Sequence, residues 1–171
     1  MLYTIQKDSN KSFPLGPILS NFGQRNFEFD FSFNKDCFYP QLMLNGIPYD
    51  GYNKCCGIAF KLTKPNFNAA MIGWRCVNNK LYILPYFNVE GANIYGTKEI
   101  QVEPEININV KIAVLSTMIL MTLKYKDEEM QLSQNFKNTF GFLPLVHIIN
   151  FWFGGQLPAN QTMSANIKLK A

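Results

Sequence analysis

The sequence predicts an all-β fold, a two-sheet antiparallel sandwich, on three observations. The first is the run Arg25-Asn26-Phe27-Glu28-Phe29-Asp30-Phe31-Ser32-Phe33-Asn34, in which four phenylalanines take every second position and polar residues fill the gaps. A strand sends successive side chains to opposite faces, so this run is a strand with one buried aromatic face and one wet face. The second is composition. Fifteen Phe, 8 Tyr and 2 Trp bring the aromatic share to 15%, and such rings suit a half-buried pleated surface. The third is rhythm: roughly ten short strand-like runs separated by turn residues, the spacing of a sandwich or jelly roll. With 47% apolar and 16% charged residues over 171 positions, the chain reads as one domain spanning 1–171 with a core of ordinary size.

The elements follow in order. Residues 2–6 alternate apolar and polar and predict an opening strand. Residues 7–23 are rich in Ser, Asn, Pro and Gly, and Pro14 and Pro17 lack amide donors, which predicts an irregular arm with no regular element. That arm still carries Phe13, Leu15, Ile18, Leu19 and Phe22, so it is expected to pack against its own sandwich or against a neighbouring subunit. After the phenylalanine strand, residues 55–63 read as a strand closed by the breaker Lys64-Pro65-Asn66. Residues 69–77 and 80–89 flank Asn78-Asn79, whose tolerance of positive φ predicts a tight hairpin, and Glu90-Gly91 ends it. Residues 106–112 alternate again, 117–126 continue as a more buried strand, and 126–129 form a turn. Residues 130–137 fit either a strand and loop or a short helix. The broadly apolar run 142–153 predicts a central strand covered on both faces. Met163, Ala165, Ile167 and Leu169 alternate with polar residues in a closing strand.

Composition also sets aside some function classes. Sixteen Lys and Arg against 12 Asp and Glu give a net charge of +4, but the basic residues are scattered rather than striped, which argues against nucleic acid. The longest nearly apolar run, 112–123, is too short for a membrane span, and the early Gln6, Lys7 and Asp8 interrupt what a signal peptide would need. Cys37, Cys55, Cys56 and Cys76 lack the spacing of a metal site, and Cys55 and Cys56, adjacent on a strand, are expected to face opposite ways. Buried free thiols are the expectation, with no metal and no cofactor. The sequons at Asn10 and Asn160 matter only in a secretory pathway.

Few constellations carry chemistry. Glu28 and Asp30 share a strand face at about the separation of a glycosidase pair, but the position three after Asp30 is Phe33, and the Glu-x-Asp-x-x-Glu strand of concanavalin-like glucanases is absent. Both are expected to be exposed. Glu103 and Glu105 flank Pro104 in a turn. His147, the sole histidine, lies within Leu145-Val146-His147-Ile148-Ile149 and reads as an interior or interface residue, with no Gly-x-Ser-x-Gly elbow to make a triad. A lyase would need a basic Tyr or His opposite a neutralising Arg or Gln on strand motifs that are missing here. Along 69–77, Trp74 shares a face with Ile72 and Cys76, and Arg75 shares the other with Met71 and Gly73. Tyr82, Leu84 and Tyr86 line one face of the next strand. If Arg75, Tyr82 and Tyr86 face a ligand, rings and a fork of donors suit a polyhydroxylated sugar; otherwise Arg75 is a structural ion pair and the tyrosines are packing.

Two segments resemble a known group. Cys55-Cys56-Gly57-Ile58-Ala59-Phe60, Ala69 through Gly73-Trp74-Arg75 and Lys80 through Tyr82, Tyr86 and Gly91 form one. Phe151-Trp152-Phe153-Gly154-Gly155 through Pro158-Ala159 to Met163 form the other. Together they cover about residues 23–170 and resemble small proteins of phages and prophages of Bacteroidetes, and concanavalin-like jelly rolls generally. The resemblance implies a concanavalin-like jelly roll and a virion surface component with no established chemistry. In that group His-rich and Asn-Ser residues often precede the Gly-Trp-Arg strand; here Pro65 to Ala70 stand there, so no ligand role carries over to that loop. The expectation is a non-enzymatic phage structural protein, a capsid decoration or appendage subunit assembled in the bacterial host cytoplasm and carried on the virion. Its partners would be other virion proteins or its own copies, met through Phe13, Leu15, Ile18, Leu19 and Phe22. A carbohydrate-binding module recognising host surface glycans is the alternative, and a polysaccharide lyase or hydrolase the third reading.

Overall fold

The computed structural model describes residues 1–14, 20, 23–40, 42–49, 51–60, 67–135, 146–153 and 157–170. They form two antiparallel sheets packed face to face, a sandwich of jelly-roll type. The strands are β1 (Leu2–Ile5), β2 (Ser12–Phe13), β3 (Asn26–Phe33), β4 (Met43–Leu44), β5 (Ile47–Pro48), β6 (Asn53–Ala59), β7 (Ala69–Val77) and β8 (Lys80–Val89). They continue as β9 (Ala92–Tyr95), β10 (Ile100–Val102), β11 (Ile108–Val114), β12 (Met118–Tyr125), β13 (Glu128–Asn135), β14 (His147–Ile149) and β15 (Met163–Lys170). One sheet has seven strands in the order β13-β12-β11-β3-β15-β1-β2; the other runs β10-β8-β7-β6-β14, with β9 pairing β8 beside β10. No α-helix occurs among the described residues; one 3₁₀ turn spans Lys35–Cys37.

Alternation builds the core. Phe27, Phe29, Phe31 and Phe33 are buried from the β3 side, while Trp74, Ile72, Ile83 and Phe87 are buried from β7 and β8. Between the sheets Trp74 stacks on Phe151 with centroids 5.2 Å apart and lies 5.1 Å from Phe33. Tyr39 packs edge-on against Trp74, and its hydroxyl is satisfied by donation from Asn53 Nδ2 at 3.0 Å and from the Cys76 amide at 3.1 Å. A buried phenol needs such partners.

Several expectations are met closely. The hairpin of β7 and β8 turns at Asn78 and Asn79, both at positive φ (51° and 56°), and β15 has Met163, Ala165 and Ile167 buried. Residues 130–135 belong to a strand, β13, and not to a helix.

Others are corrected. The arm is not wholly irregular, because Ser12 and Phe13 pair with Ile5 and Thr4 at the edge of the larger sheet. Residues 146–153 are not part of a central strand: β14 is three residues long and lies at the edge of the smaller sheet, after which Trp152 bridges Lys11 and Lys54. The apolar character of that stretch comes from Phe151 and Phe153 filling the core beside Trp74, not from two covered faces. Cys55 and Cys56 do not face opposite ways. A β-bulge between Cys55 and Gly57 lets both enter the core, where both are fully buried, since an extra residue in one strand breaks the period of two. Cys37 and Cys76 are buried too. A further hairpin, β4 and β5, turns at Asn45-Gly46 with φ of 52° and 79°, the Asn-Gly pair that a tight two-residue turn favours.

Candidate functional site

The outward face of the smaller sheet is assembled row by row. Arg75 of β7 pairs with Tyr82 of β8, and Tyr82 with Gln101 of β10. Two rows along, Met71 pairs with Tyr86, and Tyr86 with Tyr95 of β9. Tyr86 and Tyr95 stack with centroids 4.9 Å apart and planes 29° from parallel, and Tyr52, just ahead of β6, lies 5.0 Å from Tyr95. Gly73, between Met71 and Arg75, makes this possible: a Cβ there would stand 3.3 Å from both Tyr52 Cβ and Leu84 Cδ1, closer than most packing permits.

Arg75 is clamped at the far end of these rings. Its Nε and Nη2 donate to Glu99 Oε1 and Oε2 at 2.8 and 2.9 Å, and its guanidinium carbon lies 4.8 Å from the Tyr52 ring centre. The Tyr52 hydroxyl donates to the same carboxylate at 2.8 Å. Both charged side chains are about a quarter exposed, so this bidentate pair is stronger than a surface ion pair. Burial, reinforced by the carboxylate it faces, pushes the Tyr52 phenol up. Burial likewise raises Tyr86, with the Tyr95 hydroxyl beside it. Both phenols stay neutral donors across the physiological range.

The three residues expected to meet a ligand are thus on one face. Arg75 and Tyr82 are neighbours, while Tyr86 belongs to a separate stack two rows away. Tyr86 is 4% exposed and Tyr95 39%, so Tyr95 offers the open ring edge of the stack. Tyr52, Tyr95 and Glu99 escaped the sequence reading. Glu90-Gly91, at φ of 52° and 86°, is a two-residue turn that returns the chain as β9 and so brings Tyr95 back to Tyr86. That signal was in the sequence; nothing local points to Glu99. Of the arm residues, Phe13 is 74% exposed, while Leu15, Ile18, Leu19 and Phe22 lie outside the described residues.

The larger sheet's outward face carries the carboxylates. Asn109 Nδ2 donates to Glu28 Oε1 and to Asp30 Oδ1, each at 2.8 Å, so those oxygens are no further apart than two such bonds end to end. Lys170 Nζ reaches Glu28 Oε1 at 2.8 Å and Asp30 Oδ2 at 2.9 Å, with Lys111 3.7 Å from Glu28. Neither carboxylate is as exposed as expected; Glu28 and Asp30 are half-buried beneath these cations. Hydrogen bonds from Lys170 and Asn109 hold Glu28 below its usual range. Burial pushes Asp30 up, but Asn109 and Lys170 together outweigh it and Asp30 is also lowered. Glycoside hydrolysis needs one carboxyl raised to serve as the acid, and this pair supplies two anions. An open groove of about 360 Å³ beside it is lined by Phe27, Glu28, Lys111, Leu120, Thr122 and Lys170, and Phe27, its aromatic residue, is buried. His147 is half-buried opposite Ala59, and burial lowers its pKa. Among the described residues no group of three His, Cys, Asp or Glu could hold a metal.

No protein-family model matches this chain, and no curated protein matches its sequence. Solved structures do. A functionally unknown protein from Saccharomyces cerevisiae superposes with a TM-score of 0.56 at 7% identity, over 99% of this chain and 88% of that one. The GH43 BlXynB protein from Bacillus licheniformis gives 0.55 at 9% identity, over 98% of this chain and 32% of that one. The Bacteroides ovatus xyloglucan PUL GH43B protein gives 0.53 at 8% identity, over 86% and 27%. At such identities the likeness is one of fold alone, and this chain spans about a third or less of the two GH43 chains.

Proposed function

We propose that this chain is a non-catalytic carbohydrate-binding domain whose ligand lies on the outward face of the smaller sheet. The observation that carries the reading is the run of three rings, Tyr86, Tyr95 and Tyr52, each about 5 Å from the next and bordered by the Arg75–Glu99 clamp. A tyrosine offers a sugar both an apolar face and a hydroxyl. Two fold neighbours, the xyloglucan PUL GH43B protein and the GH43 BlXynB protein, support a setting in polysaccharide recognition. The carboxylate pair of the other face, held ionised and bridged by Lys170, supports a non-enzymatic role. The test is affinity electrophoresis of the chain through gels cast with plant and bacterial polysaccharides. Retardation that Tyr95→Ala abolishes is the expected result; release of reducing ends or unsaturated sugars would overturn the non-catalytic part.

The virion reading remains a second proposal, favoured by one observation. Phe13, on the edge strand β2, is 74% exposed, and Leu2 and Met1 on the neighbouring strand's end are 50% and 64% exposed. An apolar edge of this kind suits docking onto other copies or other virion proteins. Sedimentation of the chain at rising concentration checks it: Phe13→Ser should dissociate an assembly if one forms, and a strict monomer sinks self-association.

A further inference from the structure

One row beyond the stacked tyrosines, Ala69 pairs with Asn88 and Asn88 with Asn93, which sets two asparagines side by side on the same face as Tyr86 and Tyr95. Tyr86 Oη donates to Asn93 Oδ1 at 2.8 Å. Two groups on this row are left over. Asn88 is 2% exposed, yet its Oδ1 accepts no hydrogen bond. Asn93, beside it, is exposed, and its one resolved bond uses Oδ1, leaving the Nδ2 hydrogens pointing to solvent. Buried side-chain oxygens without a donor are rare in folded chains and ask for a water, a strain or a ligand to account for them. Among the described residues Asn160 Oδ1 is the one other such atom, and its residue is only half-buried in a turn.

We infer that Asn88 and Asn93 form the polar end of a subsite for one neutral sugar ring packed against Tyr95. Asn88 Oδ1 accepts a hydroxyl, directly or through one bridging water, and Asn93 Nδ2 donates to the next. This rests on the carbohydrate reading above and adds the ligand's charge class and the residues that select it. The class follows from two features. Asn88 Oδ1 is an acceptor that needs a proton donor, which a sugar hydroxyl provides and a uronate carboxylate does not. Arg75 already directs two donors at Glu99, at 2.8 and 2.9 Å, so a uronate would meet a neutralised pair there, and Lys54, opposite Gly73 on the same face, has its charged form disfavoured by burial. A site built around hydrogen bonds to hydroxyls discriminates against ligands that leave those groups unpaired.

The experiment is calorimetric titration and affinity electrophoresis of the whole chain with three neutral polysaccharides (xyloglucan, xylan and galactomannan) and two uronates (polygalacturonate and alginate). Wild type, Asn88→Leu, Asn93→Ala and Tyr95→Ala are compared, with thermal unfolding of each. Binding to a neutral polymer is expected, weakened roughly 10-fold or more by Asn88→Leu and by Asn93→Ala. Asn88→Leu should melt at the same temperature or higher, because it removes a buried acceptor that nothing satisfies. Asn93, being exposed, decides the matter should Asn88→Leu fold poorly. Preference for the uronates overturns the inference. So does a neutral-polymer affinity that Tyr95→Ala abolishes but Asn88→Leu and Asn93→Ala leave at the wild-type value, a result that keeps the carbohydrate reading. Failure of wild type to bind any glycan overturns both.

Discussion

On the seven-stranded sheet the residues turned outward by β3, β11 and β15 include Glu28, Asp30, Asn109, Lys111 and Lys170, whereas on the smaller sheet β7, β8 and β9 turn out Met71, Arg75, Tyr82, Tyr86 and Tyr95. Their inward faces are alike, Phe27 to Phe33 on one side and Ile72, Trp74 and Phe87 on the other. The same two-residue period therefore produces one buried layer between the sheets and two unlike outer faces, of which that of the smaller sheet has its own buried apolar cluster around Met71, Leu84 and Tyr86. What differs is which charges meet across the strands. On the larger sheet Lys170 lies opposite Glu28, and Lys168 opposite Asp30, in the β15–β3 register, and the face closes into an ion network. On the smaller sheet Arg75 is held at one end by Glu99, with Lys54 opposite Gly73 in the row between it and Tyr86, and rings rather than an ion network fill the rest. Under the proposed carbohydrate reading, a ligand would gain from the second arrangement and would have to displace ions from the first.

If the inward layer is common to both faces, truncating it from either side should give the largest effects of all. Phe29→Ala and Trp74→Ala are each expected to lower the unfolding free energy by about 3–5 kcal/mol, since both side chains are fully buried among other rings and leave a cavity. Urea unfolding monitored by tryptophan fluorescence for Phe29→Ala, and by circular dichroism for both, checks this. A loss below about 1 kcal/mol at Phe29 would mean that the two layers do not share one core.

The outward faces separate at the next level. Arg75→Ala removes a bidentate partner from a Glu99 carboxylate that is a quarter exposed and also accepts from Tyr52, and should lower stability by about 1.5–3 kcal/mol. Lys170→Ala, on the more solvated network of the other sheet, should cost clearly less, and added salt should shrink its effect further. The two variants measured side by side at low and high salt test the comparison directly. Equal costs with equal salt dependence would erase the distinction drawn between the faces.

Legibility in the sequence followed the same division. The inward layer was readable because burial imposes a strict period: Phe27 to Phe33, Trp74 with Ile72 and Cys76, and Met163 with Ala165 and Ile167 all fall where alternation puts them. The period failed where the backbone departs from it, at the bulge that turns both Cys55 and Cys56 inward. It also failed at 146–153, where Phe151 and Phe153 enter the core from an irregular segment that periodicity cannot describe. The candidate site was half readable. Arg75, Tyr82 and Tyr86 were placed on one face correctly because β7 and β8 form a local hairpin. Their partners Glu99 and Tyr52 are 24 and 47 residues from Arg75 and from Glu99 respectively, and pairing at that distance depends on sheet order, which local pattern does not encode.

The smallest expected effects are those of pH, and they fall in separate windows for the two faces. Glu28 and Asp30 are held below ordinary values of 4.5 and 3.8, so the unfolded chain takes up their protons first. Their stabilising share is present above those values and is lost as the pH falls through the lower folded ones. The double variant Glu28→Gln/Asp30→Asn should melt somewhat below wild type at neutral pH, by that share, and converge with it in acid, which flattens the decline in melting temperature below about pH 4.5. His147, on the outward side of the smaller sheet, works in a higher window with the same sign. Burial lowers it from 6.5, so the unfolded chain again protonates first, and stability drifts down as the pH falls below 6.5 toward the folded value. His147→Gln should remove that drift while leaving the acid decline of the other face intact. Melting curves between about pH 7 and 5 measure it. A slope that survives His147→Gln unchanged would show that this edge strand meets water in the folded chain as freely as in the unfolded one, and the assignment of the higher window to the smaller sheet would fall.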